Sequence, residues 1–161
     1  MLKFRIITLA LLLCSAVSAS AQRVALEERI PKIKSKLWFE DREPQKAEYT
    51  YIEFVHSQTV PSIQTFLQIK KDHAYFNENL RAIIVTKEKP EQISTALREC
   101  ATDYVNIAFD TDGEIFRTFG VRYVPFGIII NKRRKALWFG NPTTIDEDFF
   151  SKIKLQNNDT H

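Results

Sequence analysis

Few side chains in this sequence can make or break bonds, and their spacing limits what each could do. Two cysteines are present: Cys14 in an apolar run near the start, and Cys100 far along the chain. Cys100 shares an apolar stripe with Ile93, Ala96 and Leu97, where a free cysteine is expected to serve as a small buried hydrophobe rather than as a reactive thiol. Thr59 follows His56 by three positions, which admits a nucleophile–base reading. Three positions in a loop do not fix that geometry, however, and no third member can be named. A hydroxyl at a helix start also admits binding of a small anion or a glutathione-like carboxylate, although nothing specifies that ligand. His56, His73 and His161 have no cysteine or carboxylate neighbours at ligand spacing, so neither a metal site nor a cofactor is expected.

The elements that must position these groups alternate. Residues 49–55, rich in β-branched and aromatic types, read as a strand. Residues 61–76 follow as a helix, with Pro61 suited to the first turn and Ile63, Phe66 and Leu67 at helical spacing. The wholly apolar run 82–85 reads as a strand covered on both faces. The stripe ending at Cys100 gives the clearest helix, over 90–101. A short strand at 106–109 precedes a helix that Asp110 or Thr111 can cap, carrying Ile115, Phe116 and Phe119 and stopping at Gly120. Residues 126–130 and 136–139 form a hairpin around the basic turn Lys132-Arg133-Arg134-Lys135, and a helix over 144–154 closes the chain. This order predicts an α/β fold, a central mixed sheet flanked by helices on both faces. Functional groups in such sheets lie beyond the carboxyl ends of the strands, which directs attention to 56–62 and 123–126.

The ends carry different signals. Lys3 and Arg5, the apolar run 6–13 and the small residues of Ala19-Ser20-Ala21 read as a signal peptide over 1–21, cleaved before Gln22. Its apolar run is too short for a stable membrane span. Cys14 raises lipoprotein anchoring as an alternative, but Leu11, Leu12 and Leu13 precede it where a small residue is needed. Loss of Lys3 and Arg5 from the 23 basic residues leaves 21 against 20 acidic ones, a net charge of +1 rather than +3. That balance offers no electrostatic reason to invoke nucleic acid or a membrane surface. Residues 22–47 form a polar lead-in with a possible edge strand at Leu37-Trp38-Phe39, residues 48–155 the domain itself, and residues 156–161 a disordered tail. A protein of this size, exported to the periplasm with one cysteine left, must be held together by packing.

Two stretches resemble a known family. Glu53 in its strand, followed six positions later by Thr59-Val60-Pro61-Ser62 opening a helix, is similar to the active-site stretch of thioredoxin-like proteins, which carry Cys-Gly-Pro-Cys there. Phe119-Gly120-Val121-Arg122-Tyr123-Val124-Pro125 resembles the family's Gly-Val-Arg-x-Ile-Pro pattern, whose proline is cis. Asp110-Thr111-Asp112-Gly113 and Gly140-Asn141-Pro142 resemble segments of the exported bacterial redoxin, or thiol-disulfide oxidoreductase, branch. The likeness covers roughly residues 30–154.

The resemblance implies a thioredoxin-like fold whose dithiol has been replaced. Thr59 stands in place of the attacking cysteine and Ser62 in place of the resolving one. A helix start lowers a thiol pKa from about 8.5 toward 7, but a hydroxyl there stays protonated and has no sulfur to exchange. Glu53 takes the position of the family's buried acid; without a thiol to serve, it is expected to pair with a lysine or lie exposed near the strand end. In the family the residue before the cis proline offers its backbone to an extended polypeptide, so Val124, Pro125 and Thr59 are the peptide-binding candidates. The function expected is therefore a redox-inactive, protein- or peptide-binding accessory module of the cell envelope. The alternative is a thiol-dependent oxidoreductase or peroxidase-related enzyme working through Cys100 or a partner's thiols.

Overall fold

The computed structural model describes residues 24–146, 148–150 and 152. The predicted leader over 1–21 with Cys14, and the predicted tail over 156–161, lie outside the described residues. Six strands form one sheet: β1 (Leu37–Trp38), β2 (Tyr49–Val55), β3 (Leu80–Thr86), β4 (Val105–Phe109), β5 (Phe126–Asn131) and β6 (Ala136–Gly140), in the spatial order β1-β4-β3-β2-β5-β6. The parallel pairs β2–β3 and β3–β4 join antiparallel partners at both sides, so the sheet is mixed. The lead-in does supply an edge strand, because Leu37 and Trp38 pair with Phe109 and Ala108.

Among the described residues, α1 (Val60–Lys71), α2 (Thr95–Arg98) and α3 (Glu114–Phe119) accompany the sheet, together with helical residues near 149–152. Alternation along each strand sends successive side chains to opposite layers. Tyr51, Val55, Ile84 and Ile107 pack with Phe66 and Ile69 of α1 and Leu97 of α2. Ile52, Phe54, Ile83 and Val85 pack with Phe116 and Phe119 of α3. Glu53 belongs, by that alternation, to the α1 layer. No helix among the described residues is long and apolar enough to cross a membrane.

Two predicted helices are shorter than their patterns, and a third starts later than expected. The segment over 90–101 keeps its buried stripe of Ile93, Leu97 and Cys100, yet only Thr95–Arg98 is helical. The reason is Ser94: its amide donates to Ser57 Oγ at 2.8 Å, and its own hydroxyl accepts from Leu97 N–H as an N-cap. A residue held that way begins a helix and cannot sit inside one. α1 stops at Lys71 and gives way to a 3-10 turn at His73–Tyr75. The closing helix starts later than residue 144, because Pro142–Thr144 is a 3-10 turn and Ile145 is extended; Phe149, Phe150 and Lys152 are helical.

The turns are built by identifiable groups. Asp110 caps α3 across a left-handed Gly113, its carboxylate accepting from Ile115 and Phe116 N–H at 2.9 Å each. Gly120, at φ 68°, ends that helix, and Val121 N–H then returns to the Phe116 carbonyl. The basic cluster is a hairpin turn, with Asn131 Oδ1 accepting from Arg133 and Lys135 N–H. The lead-in runs along it, Glu27 and Ile30 N–H donating to the Ala136 and Arg134 carbonyls.

Candidate functional site

β2 ends at Val55, and the loop that follows turns directly into α1. Thr59 takes the N-cap position of that helix with extended backbone, while its side chain caps nothing. Its hydroxyl instead lies 3.0 Å from the His56 carbonyl and 2.9 Å from Ser62 Oγ. Thr59 is half-buried, Ser62 is fully buried, and Val60 between them is exposed. Two hydroxyls therefore share one hydrogen bond at the mouth of α1. The nucleophile–base reading of Thr59 with His56 has no geometric support: the threonine bonds the histidine's carbonyl, while the ring's Nδ1 faces Gln58 N–H at 3.4 Å.

Glu53 differs from expectation. It is fully buried and meets no lysine among the described residues; Tyr51 Oη lies 2.7 Å and Thr65 Oγ1 2.5 Å from its carboxylate. Thr65 is also 2.8 Å from the Ser62 carbonyl, so a short polar path joins the acid to the helix mouth. Burial pushes the Glu53 carboxyl up to about 7, and the hydrogen bonds from Thr65 and Tyr51 hold it back from going further. Burial, with the nearby Glu53 charge second, also drives the Tyr51 phenol well above its ordinary value. The sheet period places Tyr51 and Glu53 on one face, a signal present in the sequence; Thr65 becomes visible only once α1 docks.

A second buried acid was not foreseen. Glu88, just past β3, accepts from Ser57 N–H at 2.6 Å, Ser57 Oγ at 2.9 Å and Thr86 Oγ1 at 2.8 Å. His56 Nδ1 stands 3.7 Å away. Ser57 in turn receives the Ser94 amide, so Glu88 fastens the loop after β2 to the start of α2.

Cys100 is 2% exposed, its Sγ 3.3 and 3.4 Å from the Ala96 and Phe66 carbonyls. Burial pushes its thiol up to about 12; the Glu53 charge adds to the rise and Lys70 opposes it. A thiol held there is protonated at neutral pH and out of reach of a substrate.

Beside the mouth of α1 lies a groove of about 720 Å³, lined among others by Pro61, Gln64, Tyr123, Val124, Pro125 and Phe139. The Val124–Pro125 bond is cis, as the resemblance implied. Tyr123 is 85% exposed. Neither the N–H nor the carbonyl of Val124 has a hydrogen-bond partner among the described residues, whereas pairing of β5 with β2 begins at Phe126. The structure thus brings Pro61 and Pro125 to one groove, with Thr59 at its helix mouth, and sets Cys100 apart in the core. Among the described residues no cluster of His, Cys, Asp and Glu could hold a metal ion.

No protein-family model matches the sequence, and no curated protein is similar to it. Solved structures are similar in shape. The thioredoxin domain of a thiol-disulfide oxidoreductase from Bacteroides vulgatus superposes with a TM-score of 0.63 at 14% identity, over 83% of this chain and 98% of that one. The chain has a thioredoxin-like fold. A thioredoxin-like protein from Aeropyrum pernix gives a TM-score of 0.57 at 12% identity, over 70% of this chain and 79% of the other. An exposed lipoprotein thioredoxin from Streptococcus pneumoniae gives 0.52 at 14% identity, over 69% and 86%. Such identities establish the thioredoxin-like fold alone, and the chemistry rests on the residues described above.

Proposed function

We propose that this thioredoxin-like chain is a redox-inactive accessory module of the bacterial cell envelope that binds an extended polypeptide segment. The observation that carries the reading is the Thr59–Ser62 hydroxyl pair, hydrogen-bonded at 2.9 Å at the mouth of α1. In this fold that is where an exchanging dithiol belongs, and two hydroxyls cannot carry electrons to a disulfide. Thiol chemistry through Cys100 has its burial and its raised pKa against it.

Binding is supported by what the site retains. The unpaired amide and carbonyl of Val124 can extend the sheet's hydrogen bonding to a visiting strand, which needs main chain and no cysteine. The adjoining groove is large enough for side chains of that strand, and exposed Tyr123 and Val60 flank it. Export to the periplasm rests on the leader over 1–21, and agrees with the exposed lipoprotein among proteins of similar fold.

Two measurements test the proposal. Purified protein should not accelerate insulin reduction by dithiothreitol beyond a Cys100→Ala control; acceleration beyond that control overturns the reading. A photoreactive residue at position 59 should capture polypeptide in the cell envelope, and Tyr123→Ala or Val124→Pro should abolish that capture in protein that still melts as the parent does. Capture unaffected by both substitutions removes Val124 from the site.

A further inference from the structure

The opposite end of the sheet holds a cavity remote from Thr59. It lies between the lead-in chain and the N-terminal halves of β2 and β3, with a volume of about 930 Å³. Ile52, Ile83 and Ile130 give it an apolar wall, and Trp38 of β1 adds an aromatic one. Its charged lining is one-sided: Lys32, Lys46, Arg81, Lys132 and Arg134 stand against Glu43 alone.

Arg81 is the unusual member. It is 7% exposed and lies with its guanidinium 5.1 Å from the Tyr104 ring centre. One terminal nitrogen donates to the Asp103 carbonyl at 2.7 Å, the other reaches Gln45 Oε1 at 3.5 Å, and Nε has no partner among the described residues. No carboxylate pairs with it among those residues. A guanidinium cannot shed its charge by losing a proton, so a buried one without a counterion is unfavourable until an anion arrives. Lys132 is matched by Glu48 at 3.0 Å, but Lys32, Lys46 and Arg134 form no ion pair among the described residues. The positive charge around the cavity is therefore only partly compensated among the described residues, by Glu43 and by the Glu48 partner of Lys132.

We infer that this cavity binds a small amphipathic carboxylate, with an aryl or short alkyl body against the isoleucines and Trp38 and its carboxylate toward Arg81 and the rim lysines. The apolar wall supplies the hydrophobic part of the affinity. The cations select the head group, because a carboxylate takes two parallel N–H bonds from a guanidinium where a neutral hydroxyl cannot. A neutral apolar molecule of the same shape leaves Arg81 as it was.

Octanoate and 1-octanol are suitable probes, followed through Trp38 fluorescence in a Trp138→Phe background and by titration calorimetry. Octanoate is expected to bind saturably and at least about tenfold more tightly than octanol. Arg81→Met should erase that preference. Should Arg81→Met fail to fold, the exposed double variant Lys32→Glu/Lys46→Glu decides, with the same loss of preference expected in folded protein. Equal binding of octanoate and octanol, no binding of octanoate, or a preference that survives in a folded rim variant overturns the inference.

Discussion

Two buried carboxylates, Glu53 and Glu88, stand near the same helix mouth and are held in opposite ways. Glu53 points from the central strand into the layer under α1 and meets two hydroxyls, from Tyr51 and Thr65. Glu88 sits beyond the end of the neighbouring strand and meets a backbone N–H as well as two hydroxyls. The first is a charge placed in the core with little to support it, and its carboxyl rises to about 7. The second closes a network that ties two loops together. The difference separates two ways of burying an acid: Glu88 holds the site's shape, whereas Glu53 sits beside it with a raised pKa, linked through Thr65 to the Ser62 carbonyl.

If that division is right, Glu88→Ala should be the more damaging change. It strands the Ser57 N–H and the Ser57 and Thr86 hydroxyls in buried positions, for a loss of about 4 kcal/mol in a urea titration. A loss smaller than that of any Glu53 substitution at neutral pH would break the comparison. Glu53 should show itself through pH instead. Its folded pKa of about 7 exceeds the ordinary glutamate value of 4.5, so between those two pH values the folded protein holds a proton that the unfolded chain has released. The stabilisation is full below about pH 4.5, falls between 4.5 and 7 as the pH rises through the folded pKa, and is gone above it. Over that window the wild type should lose roughly 3 kcal/mol. Glu53→Gln, which cannot ionise, should lack this slope, matching the wild type near pH 4 and exceeding it near pH 8. Parallel curves for the two proteins would mean that Glu53 stays ionised throughout.

How far these features were legible in the sequence depends on the range of the contacts that make them. β2 was read with its observed ends because its residue types are local, and the hairpin because its basic turn interrupts two apolar runs. The 90–101 pattern predicts more helix than forms, because burial at helical spacing says which side chains face the core, not which carbonyl each amide bonds. Ser94 gives its amide to Ser57, 37 residues away, and no local pattern reveals that. Glu53 was expected to find a lysine or solvent; the strand period already put Tyr51 beside it, but Thr65 reaches it only through helix docking. Glu88, next to Lys87, reads as a solvated loop charge until Ser57 folds over it. The cis Val124–Pro125 bond came from family resemblance and from no local pattern.

Smaller effects sharpen the picture of Glu53. Tyr51→Phe removes one of its two hydroxyl donors and should cost about 1 kcal/mol, with the ring's packing against Phe150 kept. It should also move the midpoint of the pH-dependent stability loss upward, since that hydrogen bond favours the charged carboxylate. Combined with Glu53→Gln, the substitution should lose its effect on the midpoint, because no titrating partner remains.

The smallest effect is expected at His56, three positions before Thr59. Its ring is 54% exposed and stands 3.7 Å from Glu88, beyond hydrogen-bond distance. An exposed imidazole at that range is screened by solvent and contributes little to holding the carboxylate. His56→Ala should therefore change stability by no more than about 0.5 kcal/mol. The backbone carbonyl that Thr59 uses survives the substitution, so the Thr59–Ser62 pair should persist and capture by a photoreactive probe at exposed position 60 should be unchanged. Loss of capture in a stable His56→Ala protein would instead assign the imidazole a direct part in binding.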